Sequence, residues 1–230
     1  MELKRIVDRF RPEGPGRASR KATGAAGTLG LTEADLDRVA DAIGTCQKTA
    51  DRLWKTGVRE ARHLATRVAD TGSAARSTIL RWGRETSDEA LAGVLAGFVA
   101  RTPHAARCAQ DWCDSAGDRL AELGWQVQAE RAREGRRLRA DEARRLLARI
   151  EADIVDAAPP VRAAMHECLV AIGRRDARLR AAVRAAAGRI GAVRGPGGKT
   201  LDAASELAPR KKARAKTAAP KRKKKKASRA

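Results

Sequence analysis

Apolar residues recur three and four positions apart from Leu36 to Ile190, the spacing of amphipathic helices. The first run is Leu36, Val39, Ile43, Cys46, Ala50 and Leu53. Thr32 stands before it as a helix cap, with Glu33 and Asp35 placed against the positive end of the helix dipole. Trp54, Val58, Ala61, Leu64 and Val68 continue the seam after a one-residue shift, so it drifts around the helix and does not make a long coiled coil. Thr71-Gly72-Ser73 interrupts, and a short helix with Ile79, Leu80 and Trp82 follows. Thr86 and Glu89 have the spacing of a capping box for a helix whose Leu91, Val94, Leu95, Phe98 and Val99 form the most apolar stripe. Thr102-Pro103 restarts helical pattern, which runs to about Ala158 and is weakened by Gly117, Gly124 and Gly135. Pro159-Pro160 ends it. A last helix carries Met165, Leu169, Ile172, Leu179, Val183 and Ile190, until Gly195-Pro196-Gly197-Gly198 stops it.

These elements predict an all-α chain, its amphipathic helices forming a loose or elongated bundle over residues 31–194, with breaks near 71–73, 85–87, 101–103 and 158–160. Residues 1–10 make a separate amphipathic segment, with Leu3, Ile6, Val7 and Phe10 on one side. It is too short for a stable free helix, and either docks elsewhere or packs back on the bundle. Pro12, Gly14, Pro15, Gly16, Gly24, Gly27 and Gly30 make residues 11–30 a disordered linker, and 195–230 reads as a disordered basic tail.

Charge sharpens the picture at the C-terminus. Arg210, Lys211, Lys212, Arg214, Lys216, Lys221, Arg222, Lys223, Lys224, Lys225, Lys226 and Arg229 face no acid in the last 21 residues, and supply 12 of the chain's net +21. Like charges at that density repel and leave nothing apolar to collapse. The arm is expected to grip phosphates, releasing counterions, without regard to sequence. An address, an anionic membrane surface or mere solubility are the other uses of such a segment.

Composition qualifies the helical body. Leu, Ile, Val and Phe number 39 against 49 alanines, so large core-filling side chains are scarce. Thin packing predicts that one copy leans on another, giving a homo-oligomer. The 36 arginines against 13 lysines fit a GC-rich coding bias at surface positions, and the arginine-rich faces after residue 131 either extend the tail's phosphate contacts or are simply solvated. Four cysteines at irregular spacing, with no apolar leader, are expected to be reduced. The expected location is cytoplasmic and nucleoid-associated, or nuclear in a eukaryote.

Catalytic constellations are missing from the pattern. There is no phosphate loop, GxGxxG, HExxH, GxSxG or paired CxxC. His104 and Cys108 share a helix face, but Cys113 points away, so no metal ligand set forms; His166 and Cys168, two apart, do not face one another. The expectation is a chain that performs no reaction and takes no cofactor, metal or small-molecule substrate. Trp54, Trp82, Trp112 and Trp125 are expected to fill gaps between helices, the alternative being contact with a partner. Cys46, Asp51-Arg52-Leu53 and Gly57 recur 67 residues later as Cys113, Asp118-Arg119-Leu120 and Gly124, through duplication or chance.

The stretch Lys211 to Ala230, with its Ala-Lys-Thr-Ala-Ala-Pro-Lys pattern, resembles the tails of bacterial linker-histone-like proteins. Joined to a tyrosine-free, alanine-rich helical body, it is similar to phasins, which coat polyester storage granules. The first likeness implies a sequence-independent nucleic-acid-binding protein, duplex DNA before RNA, of architectural type. The second implies a coat or scaffold on an apolar granule or membrane surface, with Leu91, Val94, Leu95, Phe98 and Val99 left exposed in the free protomer.

Overall fold

The computed structural model describes residues 31–86, 88–134 and 138–208. The N-terminal segment, the linker to residue 30 and all twelve basic residues of the tail lie outside the described residues.

Among the described residues eleven α-helices follow one another: α1 (Glu33–Ile43), α2 (Gln47–Lys55), α3 (Arg59–Val68), α4 (Arg76–Glu85), α5 (Glu89–Ala100), α6 (Ala105–Cys113), α7 (Asp118–Glu134), α8 (Ala140–Asp153), α9 (Pro159–Arg175), α10 (Arg180–Ile190) and α11 (Ala203–Glu206). Between α10 and α11 a two-residue hairpin, β1 (Val193–Arg194) and β2 (Thr200–Leu201), closes around a 3₁₀ turn at Pro196–Gly198. The chain is all-α, as its periodicity predicts, and the bundle is an ordered stack of helix pairs in two layers. Odd-numbered helices pack side by side from α1 to α9, and each even-numbered helix packs on an odd-numbered one beside it. Within the even row close packing occurs only at α4–α6 and α8–α10, so the stack bends with the odd row inside.

Local chemistry sets the helix ends. Thr32 and Asp35 form a reciprocal capping box at α1, the Asp35 carboxylate accepting from the Thr32 N–H at 3.0 Å. The continuous seam expected from Leu36 to Val68 is cut twice, at Gly44 (φ 68°) and Gly57 (φ 71°), where glycine alone adopts the turn without strain. Two threonines act opposite to expectation. Thr86 donates its hydroxyl back to the Trp82 carbonyl, and Asp88 caps α5 by accepting from the Leu91 N–H. Thr102 likewise donates to the Val99 carbonyl, and α6 starts at Ala105. Both hydroxyls close the preceding helix.

Two apolar clusters fill the stack. The first joins α1 to α6 with Leu123 and Val127 of α7; the second joins Ala121, Trp125, Ala129 and Ala132 of α7 to α8, α9, α10 and the C-terminal hairpin. α7 therefore serves both. The tryptophans fill gaps between helices: Trp54 and Trp82 stack at 4.4 Å with rings 5° apart, and Phe98 lies 5.7 Å from Trp82. Trp54 Nε1 donates to Glu85 at 2.7 Å, and Arg62 covers its face. Alanine scarcely limits this packing because glycine brings helices closer still. A Cβ on Gly124 of α7 would lie 2.5 Å from the Cys113 backbone nitrogen of α6.

Several expectations are corrected here. Leu91, Leu95, Phe98 and Val99 are buried and Val94 is half-buried, which removes the apolar face needed to coat a granule. Val155 is the exposed large hydrophobic among the described residues, so thin packing gives no reason for self-association. Residues 195–208 are folded: Leu201 and Leu207 are buried in the second cluster, and that contact offsets the flexibility expected of the glycines. The pattern running from Thr102 to Ala158 is three helices, not one. The 67-residue echo pairs the even-row helix α2 with the start of odd-row α7, positions that are not equivalent in the stack. The four cysteines are free thiols; Cys113 is pushed up to about 12 and Cys168 higher still, both by burial.

Candidate functional site

At the C-terminal end of the odd row a cleft of about 720 Å³ opens between α7, α9 and the hairpin. That is the scale of pockets that take small ligands or single residues of larger ones. α9 builds its floor. Pro159-Pro160 starts this helix, and Arg162 fastens its first turn by donating to the carbonyls of Ile154, Val155, Ala157 and Arg194 at 2.7–3.0 Å. With the helix fixed, Ala163, Glu167, Val170 and Arg174 step by three and four along its open side. The hairpin makes the opposite wall with Pro196, Lys199, Leu201 and, from α11, Glu206. Gly173 lets that wall stand close, since a Cβ there would lie 2.8 Å from Val183 and 3.0 Å from Leu207.

Charges of both signs line the cleft. Arg133, Arg174, Arg175 and Lys199 line it, together with the carboxylates of Glu89, Glu167 and Glu206. Arg133 pairs with Glu167 at 3.2 Å and Arg174 with Glu206 at 3.2 Å, which holds both acids as acceptors beside the apolar floor. His166 sits beneath them, 5% exposed, its Nε2 3.5 Å from Glu206 and without a hydrogen-bond partner. Burial holds the imidazole below its ordinary pKa against the opposing pull of Glu206, Glu167 and Asp202, so it is neutral at pH 7. A neutral imidazole and two positioned carboxylates suit a polar or cationic group, and the guanidinium and ammonium groups suit anions.

A second acid lies further along the row. Glu122 of α7 is 6% exposed and raised above the ordinary glutamate range, first by burial and also by Glu89, with Arg119 at 3.6 Å opposing. Gln126 donates to it at 3.3 Å.

Of the residues singled out in the sequence, the twelve basic tail side chains cannot be located relative to the cleft, being outside the described residues. The folded chain leads toward them from Ala208, next to Glu206 and Leu207 of the cleft wall. His166 lines the cleft and Cys168 lies in the second apolar cluster, so the two do not meet. His104 stands at the start of α6, half-buried, and Cys108 is in the first cluster. No group of three or more His, Cys, Asp or Glu is placed to hold a metal among the described residues. Lys199 and Glu206 were missed because they fall in the stretch read as tail. The available signal was Leu201 and Leu207, two apolar residues after a Pro-Gly-Gly turn.

A family model described as "DNA alkylation repair enzyme" matches residues 19–190. None of the curated proteins matches the chain. Among solved structures, the chain is similar to a protein described as one of "a new family of proteins related to the HEAT-like repeat DNA glycosylases with affinity for branched DNA structures". The TM-score is 0.79 at 18% identity, over 90% of this chain and 92% of that one, which establishes a shared fold. These matches overturn the resemblance to linker-histone-like proteins and phasins, which rested on lysine density and alanine frequency and carried no information about helix order. The expectation of a chain that performs no reaction falls with it, because the matching family is described as an enzyme.

Proposed function

Because the chain belongs to the DNA alkylation repair enzyme family, we propose that it binds DNA at the C-terminal end of its odd row and removes alkylated bases there. One observation carries this reading: the cleft brings guanidinium and ammonium groups, which suit the phosphate backbone, together with carboxylates and a buried neutral imidazole. A base alkylated on a ring nitrogen is cationic, and Glu167 and Glu206 favour it over an unmodified base where it takes the place of the arginine each is paired with. In the reaction the bond from sugar C1′ to the base nitrogen breaks, its electron pair leaving with the base, which becomes neutral. A carboxylate steadies the positive sugar, and water adds at C1′ and gives its proton to a carboxylate.

Charge along the row favours the same end. α1 carries four acids against one base, whereas α9 carries three bases against one acid. The tail residues Arg210 to Arg229 extend the grip on phosphates beyond Ala208 in a sequence-independent way, and duplex DNA is the partner. The affinity for branched DNA stated for the similar structure supports DNA as the partner here.

The test is a gel-shift titration with a linear duplex, run beside an assay for methylated base released from alkylated duplex. Wild type is expected to bind and to release base. Glu167→Gln and Glu206→Gln are expected to keep binding and lose release by about tenfold or more. Binding with no release from wild type would overturn the excision step; no binding would overturn the reading as a whole.

A further inference from the structure

We infer that the α9–α10 turn and the outer faces of α8 and α10 form a second DNA-backbone surface, so that the protein holds two duplex arms at once, one at the cleft and one on this band. The inference rests on the cleft being a DNA site, and extends it to the other layer of the stack.

The layers differ in charge. Odd-numbered helices carry 10 basic and 12 acidic side chains, even-numbered helices 13 and 7. The excess is greatest on α10, with Arg180, Arg184 and Arg189 and no acid. From Arg174 to Arg184 five arginines, at 174, 175, 178, 180 and 184, face Asp176 alone in the sequence. Arg174 and Arg175 line the cleft, so the run starts there and continues around the turn to the even face with Asp176 as its one acid. Arg178 is exposed and makes no ion pair among the described residues. Arg180 and Arg184 each donate Nε–H to a carbonyl, of Gly173 at 3.3 Å and Leu207 at 3.1 Å, which aims the guanidinium without neutralising it.

α8 adds to the band. Arg189 pairs with Glu151 across the two helices, 38 residues apart, and the ends of both lie beside Arg162 in the first turn of α9, so α8 and α10 run the same way. That register sets Arg144 and Arg145 level with Ala182 and Val183, between Arg180 and Arg184. Both are exposed; Arg144 has no acidic partner among the described residues, and Arg145 lies near Asp141. Ala181, Ala182, Ala185 and Ala148 are exposed around them and keep the surface low for a phosphate backbone, with Asp141 the acid beside Arg145. Cleft and band meet at one edge but belong to opposite layers. A straight duplex reaches one or the other; a branched one, whose arms diverge from a point, reaches both.

The full chain is titrated with a linear duplex and a four-way junction over a range of salt, as wild type, as Arg144→Gln/Arg145→Gln/Arg178→Gln, and as Ala181→Lys/Ala185→Lys. Each phosphate contact contributes about 0.9 to the slope of log K against log salt. The glutamine triple is expected to lose about 2–3 units of slope and about tenfold affinity on the junction, with less than about one unit lost on the linear duplex. The lysine pair is expected to change the junction slope in the opposite direction. Equal losses on both probes, or an unchanged junction slope in either variant, would overturn the second surface. Failure of wild type to bind the linear duplex would instead sink the cleft reading.

Discussion

One substitution, glycine to alanine, made at three helical positions is expected to give three different outcomes. Gly188 of α10 is exposed and a Cβ there meets nothing within 4 Å. Alanine only removes the entropy cost of glycine in a helix, so Gly188→Ala stabilises by about 0.5–1 kcal/mol. At Gly173 the same gain is opposed by contacts of 2.8 Å with Val183 and 3.0 Å with Leu207. These are side-chain ends that can shift, and overpacking of about 1–3 kcal/mol leaves a net loss of roughly 0–2 kcal/mol. At Gly124 the obstacles are backbone, Cys113 N at 2.5 Å and the Trp112 carbonyl carbon at 2.9 Å. No rotamer relieves them, so α6 and α7 must separate, and the loss is about 2 kcal/mol or more. Urea unfolding of the three variants measures the order. If Gly124→Ala matches wild type, or Gly188→Ala falls below it, the close approach of α6 to α7 is not as described.

Three further outcomes follow from burial and charge. His63 and His166 are both held below the ordinary value of 6.5, chiefly by burial, so the unfolded chain takes up their protons first and stability is lost as pH falls below about 6.5. Melting curves of wild type and His63→Gln/His166→Gln between pH 7 and 5 are expected to converge at the higher pH and separate at the lower; parallel curves would refute this. Glu122 has the opposite sign, raised above 4.5 by burial, so its charge costs stability above that range and Glu122→Gln is expected to melt higher at pH 7, with the difference gone below pH 4.5. Ending the chain at Pro209 removes twelve basic side chains and is expected to lower the salt slope on duplex DNA by about 5 for roughly six lost phosphate contacts; an unchanged slope would free the tail from any role in binding.

Helical character was legible throughout because 3–4 spacing of apolar residues survives whatever the tertiary arrangement, as with Leu91, Leu95, Phe98 and Val99. The Thr32–Asp35 cap was legible for the same local reason. Thr86 and Thr102 were not, since a hydroxyl that accepts from the next helix and one that donates to the last have the same neighbours in sequence. Gly44 and Gly57 cut a seam whose spacing is nearly unbroken, because the pairing of short helices that turns there is a non-local contact. The cleft was the least visible. Glu167 and Arg174 lie on one helix, but Arg133 and Glu206 join them only when α7 and α11 are stacked on either side. Arginine-rich stretches looked alike in sequence, and the fold separates Arg149, tied to Asp114 and the Cys113 carbonyl, from Arg144 on the same helix, which has no acidic partner among the described residues.

α7 is the common wall of both apolar clusters, with Leu123 and Val127 turned to one and Trp125, Ala129 and Ala132 to the other. The protein is therefore two cooperative units that share a single partition. Each unit can then open with the other closed, so amide exchange in α9 to α11 and in α3 to α5 is expected to be set by separate free energies. Accommodation of a bulky or bent polymer at one end then leaves the packing of the other end undisturbed.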